Sequence, residues 1–151
     1  MNLVVRPNHR ILLIEDNAGD GLLFREALHN SKYNTTLDHV VNGHDALDFL
    51  HQRGLFTSAL VPDLILMDLT LNQLNGFELL GLIKKEPGIK SIPLIVFTGS
   101  DMPDDITKAY MAGSNGYIKK PIGIEGLERV VRVLEEYWFG TSRIPSKLDR
   151  S

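Results

Sequence analysis

Pro62-Asp-Leu-Ile-Leu-Met-Asp-Leu-Thr-Leu-Asn-Gln-Leu-Asn-Gly76 carries the plan of the chain. A Pro-Asp pair of the turn type opens it, and the apolar block Leu64-Ile65-Leu66-Met67 stops at one carboxylate, Asp68. A run this short, fenced by Pro and polar residues, has the pattern of a strand buried on both faces, as in a parallel sheet. Asp68 then stands at the carboxyl end of that strand, where open α/β sheets place their ligand sites. A loop closed by Asn75-Gly76 leads into a helical pattern from Phe77.

The same grammar repeats on either side. Arg10-Ile-Leu-Leu-Ile-Glu-Asp16 is a second buried-strand pattern ending in acids, and Asn17 is placed to cap a helix with apolar Leu23, Phe24, Ala27 and Leu28. Thr35 to Val41 is β-branched enough for a strand, and Ala46, Leu47 and Leu50 mark a short helix ended by Gly54. Phe77, Leu79, Leu80 and Ile83 space a third helix that stops around Pro87-Gly88. Ser91 to Phe97 reads as a strand ending at Thr98-Gly99-Ser100, and Asp101-Met-Pro103 opens a helix whose inner face is Ile106, Ala109 and Tyr110. Gly116 to Pro121 is a fifth, short strand. The last helix has a clear stripe, Leu127, Val130, Val131, Leu134, Tyr137 and Trp138, and a polar, loosely ordered tail follows Gly140. Five strands alternating with five helices imply one α/β domain, a parallel sheet with helices on both faces.

Composition bounds the function. The 151 residues suffice for one domain with a sizeable core, and the balance of 43% hydrophobic to 23% charged residues is that of a soluble globular protein. A net charge of -3 without a basic stripe argues against a nucleic-acid surface. The chain has no cysteine, hence no disulfide and no thiolate metal site. The run Leu3-Val4-Val5 is too short for a signal peptide, and no run reaches membrane-spanning length. The expectation is a soluble cytoplasmic protein with no membrane partner.

Four of the predicted strands end in groups that a parallel sheet brings to one edge: Glu15 and Asp16, Asp68, Thr98 and Lys120. Taken singly, each acid reads as a cap or a solvated turn residue. Together they are a problem in electrostatics. At about 5 Å and an effective dielectric near 20, each like-charged pair costs roughly 3 kcal/mol. A hard divalent cation relieves it, and Mg²⁺ suits a site with few carboxylates, retained waters and phosphate oxygens. Lys120 and the Thr98 hydroxyl are then free to hold further phosphoryl oxygens, and Asp68 can itself be the nucleophile of an acyl phosphate.

Ile-Glu15-Asp16-Asn17, Leu-Met-Asp68-Leu, Thr98-Gly99 and Tyr117-Ile-Lys-Lys120-Pro121 together resemble the signature of the two-component response regulator receiver domain, over about residues 9 to 139, with 140–151 left as a C-terminal tail. The resemblance implies a flavodoxin-like fold with strand order 2-1-3-4-5. It implies that Asp68 is the phosphoacceptor and also a Mg²⁺ ligand, that Asp16 binds Mg²⁺ directly and Glu15 through water, and that the main-chain carbonyl of Thr70 completes the protein ligands. It makes Thr98 the switch hydroxyl, Tyr117 the switch aromatic and Lys120 the phosphate-binding lysine, with Lys119 its competitor. It also implies a cis Lys120–Pro121 bond. Two positions depart from the family pattern: Asn72 where Pro is common, and Asn75-Gly76 where Asp-Gly is usual.

The terminal Glu135-Glu136-Tyr137-Trp138, the short Pro-containing tail and the long Gly54–Leu60 segment are similar to single-domain regulators that partner bacterial and cyanobacterial phytochromes. That similarity implies a phytochrome-type histidine kinase as phosphoryl donor and a homodimer. The chain is then a phosphoacceptor and not an enzyme in its own right. Phosphorylated Asp68 is expected to draw the Thr98 hydroxyl inward, with Tyr117 rotating into the space behind it. Tyr137, Trp138 and Phe139 span about 200° of a helical turn, so they do not all face one core, and Trp138 or Phe139 is expected at the edge of a dimer built on the fourth helix, fifth strand and fifth helix. Two other readings compete. A pseudo-receiver binds partners without phosphorylation. A phosphohydrolase of the haloacid-dehalogenase type needs a second Asp two residues after its nucleophile, and Thr70 stands there.

Overall fold

In the computed structural model, which describes residues 8–72 and 74–145, strand and helix alternate along the chain. The elements are β1 (His9–Ile14), α1 (Ala18–His29), β2 (Thr35–Val40), α2 (Gly43–His51), β3 (Leu64–Met67), α3 (Gly76–Lys85), β4 (Leu94–Thr98), α4 (Pro103–Met111), β5 (Gly116–Lys119) and α5 (Ile124–Glu135). A 3₁₀ turn, Gly54–Phe56, precedes β3, and a π-helical turn, Glu136–Thr141, prolongs α5. Leu3-Val4-Val5 and the end of the expected tail, 146–151, lie outside the described residues. All strand pairings are parallel and the order is β2-β1-β3-β4-β5, the expected fold.

The two-faced burial of the central strands divides the core in two. Leu12, Ile14, Ile65, Met67, Leu94 and Val96 point to the side covered by α2, α3 and α4. Ile11, Leu13, Leu64, Leu66, Ile95 and Phe97 point to the side covered by α1 and α5. Period-2 alternation of apolar residues on both faces leaves no polar side in β3. Among the described residues no helix is long and apolar enough to cross a membrane.

Helix starts follow local chemistry. Asn17, Asn42 and Asn75 each accept a main-chain N–H of the first turn, from Asp20, Asp45 and Phe77. Pro103 opens α4 at a position that needs no donor. Gly76 is required by proximity: a Cβ there would lie 2.4 Å from the Leu69 carbonyl oxygen. The stop of α2 differs from expectation, because Gln52, at φ 55°, takes the left-handed capping position two residues before Gly54.

Two expected core positions face out. Leu23 and Tyr110 are 44% and 51% exposed; Leu23 lies on the outer side of α1, and α4, which carries Tyr110, buries only Ala109 fully. The aromatic run at the end of α5 splits. Tyr137 is exposed, whereas Trp138 and Phe139 pack on the core under α1 and α5. Phe139 stacks on His9 at 4.3 Å, so it serves the amino end of β1 and not the α4–β5–α5 face. Beyond it, the main chain closes back through Ser142 N–H to Tyr137 O at 2.6 Å, which orders the first part of the expected tail.

Glu135 pins α5 at this lower edge. Its buried carboxylate accepts the Ser31 hydroxyl at 2.5 Å and the Thr35 hydroxyl at 2.6 Å, joining α5 to the end of α1 and the start of β2. Glu135→Ala removes two charge-assisted bonds and strands both hydroxyls, and it should cost about 3 kcal/mol. Urea unfolding measures this loss.

Candidate functional site

Parallel strands end together, so the polar residues that stop β1, β3, β4 and β5 meet above the carboxyl edge of the sheet. Asp68 follows β3 directly and its N–H donates to Ile14 O at 3.0 Å, which holds it beside the end of β1. Its side chain is only 6% exposed. Oδ1 accepts the Thr98 hydroxyl at 2.8 Å and the Thr70 N–H at 3.0 Å. Oδ2 accepts the Lys120 ammonium at 2.7 Å.

Lys120 is the hub. Its Nζ also donates to Glu15 Oε1 and, at 3.1 Å, to Asp20 Oδ2. Its own N–H donates to Thr98 O at 2.7 Å, extending β5 alongside β4 by one residue. Lys119 points elsewhere, to exposed Asp101 at 3.0 Å. The Lys120–Pro121 peptide is not cis; among the described residues every peptide bond is trans. Trans is the favoured isomer, by roughly 0.5–1 kcal/mol, and the ammonium reaches three carboxylates from it.

One ammonium does not balance the acids around it. Glu15, Asp16 and Asp68 each offer a carboxylate oxygen within 4.8 Å of the others. Glu15 is 1% exposed, and its Oε2 is buried with no hydrogen-bond partner. Burial pushes the Glu15 carboxyl up from 4.5 to about 8, against the lowering effect of Lys120. Burial also works against ionised Asp68, but bonds from Lys120, the Thr70 amide and the Thr98 hydroxyl outweigh it and hold the carboxyl below its usual range. Lys120 is pulled down by burial and lifted further by Asp68 and Glu15, so it remains an ammonium. An orphaned buried carboxylate oxygen beside two further carboxylates is a donor set for a hard divalent cation.

The relay residues lie one step further along the edge. Tyr117, on β5, is half-buried against the core and donates to Ser100 O at 2.8 Å. Thr98 is already bonded to unmodified Asp68, so this geometry does not require a phosphoryl group. An ionised carboxylate is acceptor enough for the hydroxyl. Thr70 contributes its N–H, and Asn72 and Asn75 shape the loop, with Leu74 N–H on Asn72 O at 2.9 Å. Sequence reasoning missed Asp20. It occupies the first turn of α1, where an acid reads as a helix-start residue, and only the fold shows that it also faces Lys120.

Comparisons with known proteins give the family and the fold. The model of the response regulator receiver domain matches residues 11–132. Response regulator Rcp1 of Synechocystis sp. is 35% identical over 93% of this chain and 95% of its own length. The probable methanogenesis regulatory protein FilR2 of Methanothrix harundinacea is 35% identical over 89% of this chain and 86% of its own. The Mn²⁺-bound crystal structure of Rcp1 superposes with a TM-score of 0.83, at 35% identity, covering 91% of this chain and 99% of that one. The phosphorylated cyanobacterial phytochrome response regulator RcpA superposes at 0.86, with 38% identity over 93% of this chain and all of that one (100%).

The raised Glu15 carboxyl makes metal affinity depend on pH. Below about 8 the metal-free site holds a proton on Glu15 that a cation must displace. Apparent divalent-cation affinity should therefore rise up to about tenfold per pH unit toward pH 8 and level off above it. For the metal-free fold the sign is opposite: the proton's stabilisation is complete below pH 4.5 and lost as pH rises through about 8. Calorimetric titrations at several pH values check both, and Glu15→Gln should flatten both profiles.

Proposed function

The chain belongs to the response regulator receiver domain family of two-component signalling, and on that premise we propose that Asp68 accepts a phosphoryl group from a histidine kinase in a Mg²⁺-dependent reaction. The observation that carries the proposal is the Asp68 carboxylate. It is ionised although buried, and it is held between the Thr98 hydroxyl, the Thr70 amide and the Lys120 ammonium. A carboxylate oxygen attacks phosphorus, the new O–P bond forms as the N–P bond to the kinase histidine breaks, and the imidazole leaves. Lys120 moves with the charge, from the Asp68 oxygen to a phosphoryl oxygen. Asp16, Asp68 and the Thr70 carbonyl would hold the cation directly and Glu15 would hold it through water, and the cation, when bound, would supply charge neutralisation for the incoming oxygens. The receiver unit spans residues 9–139, with 140–151 as a tail, and works in the cytoplasm.

Thr98 and Tyr117 form the output relay. Because the Thr98–Asp68 bond exists before modification, the phosphoryl group acts by changing the acceptor's charge and position. A ligand shifts a conformational equilibrium only through such a difference between states. The family implies a donor kinase, and the likeness to the cyanobacterial phytochrome response regulator RcpA supports a phytochrome-type one. Exposed Tyr110 and Met111 on α4, Val133 on α5 and Tyr137 on the turn that prolongs it support a twofold homodimer on the α4–β5–α5 face.

Intact-mass spectra after acetyl phosphate treatment should show a labile adduct that needs Mg²⁺ and is absent in Asp68→Asn. An adduct surviving in that variant moves the site, and no adduct in the wild type favours a phosphorylation-independent binding module. A phosphotransfer panel in which a phytochrome-type kinase is no faster than the others removes that donor.

Thr98→Ala should keep phosphorylation within about threefold but lose most of the phosphorylation-dependent change in association, read by light scattering. In the same assay, Val133→Arg should weaken the dimer.

A further inference from the structure

We propose that His39 and Gly21 form a positioning device for the acidic pair, so that an imidazole on β2 tunes the cation affinity of Glu15 and Asp16. This rests on the divalent-cation reading of the site given above.

The ladder between β1 and β2 ends at the Ile14–Val40 pair. The next peptide belongs to Glu15, and β2 takes both of its polar groups by different means. The Glu15 N–H donates to Val40 O at 3.0 Å, an ordinary main-chain bond. The Glu15 carbonyl lies 2.7 Å from the His39 Nε2. A carbonyl only accepts, so Nε2 carries the proton. The imidazole thus stands where a further β2 amide would stand if the strand continued. It does not continue, because the chain turns at Asn42 into α2.

The ring is also locked from the other side. A Cβ on Gly21 would lie 2.4 Å from His39 Cε1 and 2.5 Å from Nδ1, so the first turn of α1 closes on the imidazole at a glycine. The Gly21 N–H donates to Asn17 O at 3.2 Å, which anchors that turn to the residue after Asp16. Asp20, next to Gly21, faces Lys120. One ring therefore spaces two segments: the end of β1 that carries Glu15 and Asp16, and the turn of α1 that carries Asp20. Three of the four carboxylates at the site hang on those segments. A group that fixes the backbone of metal ligands changes affinity without touching the metal, and such outer contacts are worth on the order of tenfold. His39 is half-buried on an otherwise unremarkable strand and makes no contact with Asp68, so phosphoryl chemistry by itself has no use for it.

The pair of contacts predicts a distinctive pattern. His39→Ala loosens the Glu15 carbonyl, and Gly21→Ala drives the ring off it. Each change should weaken Mg²⁺ about tenfold, although neither alters a carboxylate. In the double variant the alanine methyl enters space the ring has left, so the second change should add no further loss. His39→Gln, which retains a side-chain N–H donor, should recover part of the affinity.

The experiment is calorimetric titration of Mg²⁺ into unphosphorylated full-length protein for the wild type and the four variants. Thermal melting of the metal-free proteins runs beside it. The expected result is about tenfold weaker binding in each single variant, no additional loss in the double variant, and partial recovery in His39→Gln. Unchanged affinity in His39→Ala or in Gly21→Ala overturns the inference, and so does loss that multiplies in the double variant. Lower melting temperature with wild-type affinity also overturns it, because it assigns the ring a purely structural part. A wild type that binds no Mg²⁺ defeats the underlying reading of the site instead.

Discussion

A single ammonium, that of Lys120, faces more carboxylate than it can neutralise, and the rest of the structure is arranged around that imbalance. It bonds to Asp68, Glu15 and Asp20, while Asp16 completes the acidic crowd and Glu15 keeps one buried oxygen unsatisfied. Repulsion of this kind in a half-dry place destabilises a fold unless the backbone enforces it. Here the enforcement comes from five parallel strands whose two faces are covered with apolar side chains. The hydrophobic layers set where the strands end, and the strand ends set where the charges meet.

Strain of this kind is useful because it responds to added charge. On the proposed function, a cation would relieve it on the Glu15–Asp16 side and a phosphoryl group would perturb it on the Asp68 side. Thr98 and Tyr117, on the two neighbouring strands, lie where a change in Asp68 is felt first. The opposite edge of the sheet is built differently. There Glu135 is satisfied by two hydroxyls and Phe139 by a stacked imidazole, so that end is pinned while the upper edge is left responsive.

Particular residues show where linear reading succeeds and where it stops. The block Leu64–Met67 is buried throughout, as its uniform apolarity implies, and Asp68 sits at its end. Asn17 and Asn75 cap the helices they precede. Leu23, Tyr110 and Phe139 are less legible, since helical spacing identifies a face but not what covers it. Tyr110 faces solvent because α4 lies at the sheet margin. Phe139, expected near a dimer edge, lies in the π-helical turn and stacks on His9 at the start of β1 instead. The isomer of the Lys120–Pro121 bond was equally beyond the reach of residue types, since both isomers are available to any Pro.

Residue order alone settled the alternation of elements, the parallel sheet and the convergence of Glu15, Asp16, Asp68, Thr98 and Lys120. It did so because apolar periodicity and strand-terminal polarity are local properties written directly in the chain. The recruitment of Asp20, the orphaned oxygen of Glu15 and the ring of His39 under the Glu15 carbonyl were decided only in three dimensions. These depend on distances between segments that are remote in the chain. Such distances follow from how two helical layers pack on a twisted sheet, and no local pattern encodes them.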